Sequence, residues 1–463
     1  MMSIAVAQSS FWTSLSRYGR SKGLWLLLLV APIGARFMIA PDDGSGIQIA
    51  VGRHLPVMTS AMLGISLGIV VSTLLLPIGF VYLRSNVTRR QPWQIDEVSA
   101  ASRIAMTLGR FGADVAILFG VLAALTAAGW FLGAFIVTGP LNIGDIVVTL
   151  WLVAAPAVMG LVAIHLMFDA LPVTRRATGE LLYFILWMVS LVMPLAAGGS
   201  ASSFSSNMLD FPGFVRPLIG AAPLQGQDIV IGGSDGLLPG RKPLDVMAGI
   251  NAPGYLASRA AWAMVAILVA ALAGLVYRPH RPPRRSARKG IVARWLAPGP
   301  PAPADHTAPP ALPNRLAFAG LVLAEFRAIG VGRPFLLMAF IAALVGIIGD
   351  FRHIGSPTAM LLLIFAAVAH AGRSEARGLL ALTQVTVQSP NARRIAFILA
   401  TIGWSLLLAV PGAIVRISSE PLLLALITGG VMAIVAIGLA MFSRSAFAPR
   451  LVLLVLWYGY LSS

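Results

Sequence analysis

Residues His370–Trp404 read HAGRSEARGLLALTQVTVQSPNARRIAFILATIGW. Strongly apolar sequence lies on both sides. A charged knot, Arg373-Ser374-Glu375-Ala376-Arg377, opens the stretch, and a short helical pattern follows. Ser389-Pro390-Asn391 breaks that pattern, and Arg393-Arg394 leads into the next apolar run. A membrane-crossing helix needs about 20 apolar residues, and charge collects where the chain reaches water. The stretch reads as a charged helix between two membrane spans.

The whole chain agrees with that reading. Of its 463 residues 58% are hydrophobic and 11% are charged, against about 25% charged in soluble domains. One water-soluble core cannot hide so much apolar surface, so the sequence predicts an all-α polytopic membrane protein. Candidate spans fall at 24–40, 57–83, 112–137, 146–169, 181–198 and 257–277, then at 335–350, 356–371, 395–415, 421–442 and 451–463. The first follows Arg17, Arg20 and Lys22 in the manner of a signal peptide. No small-x-small cleavage site follows it, so an uncleaved span is expected. With the N-terminus in the cytosol and strict alternation, 26 of the 34 lysines and arginines face the cytosol. That bias obeys the positive-inside rule and places His370–Trp404 on the cytosolic side of the cell (inner) membrane. It also accounts for the net charge of +17 without nucleic acid. There is no cysteine, which excludes disulfides, thiolate metal sites and cysteine nucleophiles.

Three domains are expected: a first transmembrane module at 1–277 with an outer loop at 199–256, a linker at 278–315, and a second module at 316–463. The linker starts RPHRPPRRSARKG and continues into Pro/Ala-rich sequence, a basic tether and then a semi-rigid spacer. Short matches recur in the same order in both modules. SRYGRSKGLWLLLL aligns with FRAIGVGRPFLLMA, SAASRIA with PNARRIA, and ELLYFILW with RLVLLVLW. They suggest a direct repeat of one helical module. The total is 11–12 transmembrane helices. The second module ends at a short fifth span: either this half is incomplete or the sequence is cut short.

The loop LRSNVTRRQPWQIDEVSAASRIAMTLGRFG between spans two and three has the same plan as the opening stretch. Each has a basic exit, a segment mixing acidic and apolar residues, a break and an arginine. Such a helix docks into a partner, with charge setting register and apolar side chains filling a cleft.

At RSEARGLLALTQVTVQSPNARRIA and QPWQIDEVSAASRIAMTLGR the chain resembles the permease subunits of ABC transporters, in the exporter class called type-2. The C-terminal WYGY and the outer SSNMLDFPGF, with Asp210, Phe211 and Gly213, are similar to permeases of this kind. The resemblance implies an interfacial N-terminal helix and six spans per module. It also implies a cytosolic coupling helix between spans two and three, and an outer segment before span six. Trp93, Asp96, Glu97 and Arg103 would form one coupling site, and Arg373, Glu375, Arg377 and Arg394 the other. The sequence holds no GxxxxGK[ST] loop to cradle phosphate. The resemblance therefore implies no cofactor on this chain, no enzyme activity of its own, and ATP on a separate ABC ATPase subunit. Whether one copy suffices or a second permease copy joins it stays open.

Several residues invite sharper readings. His165 and Asp169 share a helix face and would form an intramembrane polar pair, a proton relay if buried. Asp169 is also near the cytosolic end, where side chains reach water. Arg110 and Asp114 read as an interfacial pair, Asp210, Asp228, Asp235 and Asp245 as surface carboxylates, and Trp25, Trp130 and Trp457 as interface anchors. His280, His306, His353 and His370 have no metal-ligand spacing. A major-facilitator-like secondary transporter competes as a reading. Its motivation is the basic central linker and GRFGAD (109–114), which is similar to part of that family's loop motif. A membrane-embedded lipid or glycan transferase is a third reading.

Overall fold

The computed structural model describes residues 2–21, 24–25, 27–29, 32, 36, 48–51, 54–85, 102–171, 174, 177–196, 202–221, 229–232, 240–277, 314–371, 389–443 and 447–461. The chain divides into two compact units, Met1–Arg281 and Pro282–Leu461.

Among the described residues six helices are long and apolar enough to cross a membrane: Ser60–Arg84, Arg103–Ile136, Ile143–Ala170, Tyr255–Val276, Pro390–Arg416 and Glu420–Ser443. Shorter apolar helices cover Leu182–Pro194, Phe335–Ile348, Phe351–Ala367 and Phe447–Trp457. These coincide with the expected spans from the second to the last. The first, 24–40, falls mostly outside the described residues, as does 278–313 of the linker.

The first unit starts with α1 (Met2–Gly19). The helix at the second expected span comprises α2 (Ser60–Val70), a π-helical segment (Val71–Leu75) and α3 (Leu76–Ser85). Then come α4 (Arg103–Ile136), α5 (Ile143–Ala170) and α6 (Ala177–Ala196). The segment expected to be outer carries α7 (Phe204–Met208), α8 (Val215–Ala221) and α9 (Val246–Ile250), and α10 (Tyr255–Val276) follows it. Among the described residues four short strands depart from the all-α expectation. β1 (Gln48–Val51) pairs antiparallel with β3 (Ile229–Gly232), and β2 (Leu55–Pro56) pairs parallel with β4 (Arg241–Lys242). They tie the segment ahead of α2 to the segment ahead of α10.

Helix α4 starts earlier than the apolar run at 112–137. Ser102 caps it, its side chain accepting from the Ala105 N–H, which satisfies one of the open donors of a first turn. Its 34 residues reach about 51 Å at 1.5 Å per residue, well beyond a hydrocarbon core of about 30 Å. The extra turns are covered by α1. Ser10 Oγ donates to Met106 O at 2.9 Å, and a Cβ on Gly109 would meet the Ala7 carbonyl at 2.2 Å. Gly64 and Gly68 on α2 likewise admit Thr149 and Val153 of α5, as the close packing of membrane helices requires.

The second unit comprises α11 (Asn314–Ile329), α12 (Arg333–Ile348), a π-helical segment (Phe351–Gly355), α13 (Ser356–Ala367), α14 (Pro390–Arg416), α15 (Glu420–Ser443) and α16 (Phe447–Leu461). Trp404 on α14 is its aromatic anchor. The indole stacks on Phe326 with centroids 4.5 Å apart and meets Phe335 edge-on at 4.8 Å. Its Nε1 donates to Phe326 O at 2.8 Å. Trp457 is a correction to the interface-anchor reading. It is buried, and its Nε1 donates to Pro357 O at 2.7 Å. Trp25 and Trp130 are exposed, as that reading expects.

Candidate functional site

Alternation of the helices brings α1, the start of α4, the ends of α3, α5 and α10, and the start of α6 to one end of the first unit. Side chains join them there. Arg84 Nη2 donates to Thr174 O at 2.8 Å, and Arg103 Nη1 donates to Tyr277 O at 3.4 Å. Inside this end lies a polar cluster. The Tyr18 hydroxyl of α1 donates to Asp114 Oδ1 of α4 at 2.6 Å, within the interior. Arg110, one turn earlier, approaches Asp169 Oδ2 of α5 at 3.8 Å. Tyr82 of α3 packs against Tyr18 with centroids 5.9 Å apart. Burial, and after it the Asp114 charge, holds the Tyr18 hydroxyl well above its ordinary pKa. Tyr18 therefore keeps its proton and acts as donor.

This arrangement extends one expectation and corrects another. Arg110 reaches across to α5, while Asp114 takes its hydrogen bond from α1. The i, i+4 spacing keeps the Arg110 charge acting on Asp114, and tertiary packing supplies each with a further partner. Asp169 is buried at 4% exposure, and His165 at 1%. The carboxylate is shielded from water and meets Arg110 of α4. His165 and Asp169 do share a face of α5, but their surroundings differ. His165 meets Phe80 edge-on at 5.9 Å, and Asp169 faces Arg110. The cluster crosses four helices: an ion pair links α4 to α5, the Tyr18–Asp114 hydrogen bond links α1 to α4, and the Tyr18–Tyr82 ring contact links α1 to α3. Among the described residues no three His, Asp or Glu side chains come together to hold a metal ion.

The opposite end of the unit carries a second cluster that sequence reasoning placed on the surface. Asp210 is fully buried. Its Oδ1 accepts from Gly213 N and its Oδ2 from Arg216 N, each at 2.8 Å. Arg259 of α10, 2% exposed, donates to the carbonyls of Phe211 (3.2 Å), Asn207 (3.3 Å) and Asp210. The Tyr255 hydroxyl donates to Gly213 O at 2.6 Å. Gly213 has φ +87°, and a Cβ there would meet Arg259 Nη1 at 2.3 Å. Glycine is needed for both reasons. Burial raises the Asp210 carboxyl above its ordinary pKa, and Arg259 with the backbone N–H groups opposes that rise. The clasp fixes the outer segment onto the head of α10. Its sequence signal was DFPG followed by an arginine beside an apolar helix start.

Of the residues expected to couple to an ATPase, Trp93, Asp96, Glu97, Arg373, Glu375 and Arg377 lie outside the described residues. Arg103 is the exposed first residue of α4. Arg394 sits in the second turn of α14, its Nη1 donating to Asn391 Oδ1 at 2.8 Å. Ser389 caps α14 as Ser102 caps α4, accepting from Ala392 N. No protein family, curated protein or solved structure matches the chain.

Proposed function

We propose that this chain is the membrane-spanning subunit of an ATP-driven exporter in the cell's cytoplasmic membrane. In this reading two repeated helical modules form the pathway, and the N-terminus lies in the cytosol. The loops around Glu97 and Glu375 act as coupling helices for a separate ATPase. ATP closes the ATPase subunits, they press on the two loops, and the spans rock between inward-open and outward-open arrangements.

One observation carries the reading. In both units a helix ahead of the first span packs on the third membrane helix at a matched place. Counted from the shared Arg-Ile-Ala, Gly112 of α4 and Gly403 of α14 are equivalent. A Cβ on Gly112 would meet the Phe11 ring of α1 at 3.3 Å, and one on Gly403 would meet the Phe326 ring of α11 at 3.3 Å. In each unit the candidate coupling loop immediately precedes the serine that caps this helix. A push on the loop would therefore reach the third membrane helix and the helix packed on it.

The test is co-purification followed by cross-linking from single cysteines at 97 and 375, made practical because the chain has no cysteine. A P-loop ATPase captured at both positions, with transport in vesicles that requires ATP, is the expected result. Transport by the purified chain alone, driven by a proton gradient, overturns the proposal.

A further inference from the structure

A proline interrupts the second membrane helix of each unit, and each time a five-residue π-helical segment precedes it. Val71–Leu75 comes before Pro77, and Phe351–Gly355 comes before Pro357. Proline has no N–H to give to the helical turn before it. Within a π-helical turn the acceptor of that missing N–H is the carbonyl five residues back. Those carbonyls belong to Ser72 and Arg352.

Both find a donor on the fifth helix of their own unit. Trp187 Nε1 of α6 donates to Ser72 O at 2.7 Å. The Tyr460 hydroxyl of α16 donates to Arg352 O at 3.0 Å. A second aromatic donor stands about one turn away each time. The Tyr183 hydroxyl donates to Leu76 O at 3.1 Å, and Trp457 Nε1 donates to Pro357 O at 2.7 Å. The donor is an indole in one unit and a phenol in the other, so the shared feature is the carbonyl and not the residue type. In hydrocarbon an unmet carbonyl is costly, which makes the buried bonds to Ser72, Leu76 and Pro357 directional constraints; the Tyr460–Arg352 bond lies at an exposed end of its helix. Leu182, Ile185, Met188, Val189 and Val192 are exposed, while Tyr183, Phe184 and Trp187 face inward. The Tyr183 ring stacks on Phe80 with centroids 3.8 Å apart.

We propose that in each unit the fifth helix is locked in register to the second by aromatic donors that replace the N–H a proline removes, holding the two helices as one body. Interface tryptophans that simply meet a nearby carbonyl would show no dependence on the proline. The lock does not depend on the permease reading.

A double-mutant cycle on the full chain in lipid nanodiscs tests this by amide exchange over residues 68–80 and 183–190. Trp187→Phe accelerates exchange about tenfold in the native background, as expected for a buried carbonyl left unmet. Pro77→Ala restores the backbone donor, and in that background Trp187→Phe changes exchange by about twofold or less. Tyr460→Phe with Pro357→Ala repeats the cycle in the second unit while deleting one oxygen only, so it carries the test even if Trp187→Phe fails to fold. Equal acceleration with and without the proline in both cycles overturns the proposal.

Discussion

Counted from Arg103 and Arg394, Asp114 of α4 and Ser405 of α14 occupy the same place. Asp114 accepts from Tyr18 beside the Arg110–Asp169 pair. Ser405 Oγ donates to Ala425 O at 2.8 Å, on the next helix. At this matched place the first unit holds its third helix by a buried carboxylate beside an ion pair, and the second by a neutral hydrogen bond; the Arg416–Asp350 ion pair of α14 lies at its far, exposed end. The first unit also buries Arg259 at its other end. One helix order is compatible with both. The difference is that buried charge is severe to break and specific in partner, whereas neutral contacts tolerate change.

Breaking the comparison at its strongest point means Arg259→Ala. Removing the guanidinium leaves three carbonyls and the Asp210 carboxylate without it. A loss of about 3–5 kcal/mol is expected, read as a drop in thermal unfolding midpoint and in yield. Ser405→Ala in the second unit should lose about 1 kcal/mol. Equal losses would dissolve the contrast. Tyr18→Phe comes next, at about 1–3 kcal/mol, because it leaves a buried carboxylate short of a donor. Its fold should persist, and detachment of α1 would appear as protease access at residues 2–21.

Gly112→Val and Gly403→Val sharpen the likeness between the units. Each forces a side chain against a ring of the preceding helix, at about 1–3 kcal/mol. Similar losses support a shared packing plan, and a large disparity contradicts it.

The smallest effect is in pH dependence, and its sign differs between units. Burial raises Asp210, so its folded form holds a proton more readily than the unfolded chain does. Its contribution is full below the ordinary carboxylate pKa and is lost as pH rises through the raised value. Asp350, exposed in the second unit, is lowered by its Arg416 partner at 3.1 Å. Its contribution is present above the ordinary value and is lost as pH falls through the lowered one. Unfolding midpoints between roughly pH 3 and pH 7 should respond oppositely to Asp210→Asn and Asp350→Asn.

The spans were legible because membrane solvation writes itself into long apolar runs. Helix ends were less so. Ser102 caps α4 well before the apolar run begins, since α1 supplies the cover that lipid does not. Partners of buried charge were not legible. Arg110 has Asp114 at helical spacing, yet only the packing of α5 shows that Asp169 is its ion-pair partner. Asp210 looked like one of four outer carboxylates, and only the positive-φ turn at Gly213 reveals it as the centre of a clasp. Pro77 and Pro357 were visible in the sequence, but their aromatic donors lie far along the chain.

In the proposed function both candidate coupling loops face the cytosol, where an ATPase reaches them. Single-cysteine variants Glu97→Cys and Glu375→Cys can be labelled with a membrane-impermeant maleimide in sealed vesicles of known orientation. Labelling of both positions from the cytosolic face alone is the predicted result. Labelling of the two positions from opposite faces would contradict the account.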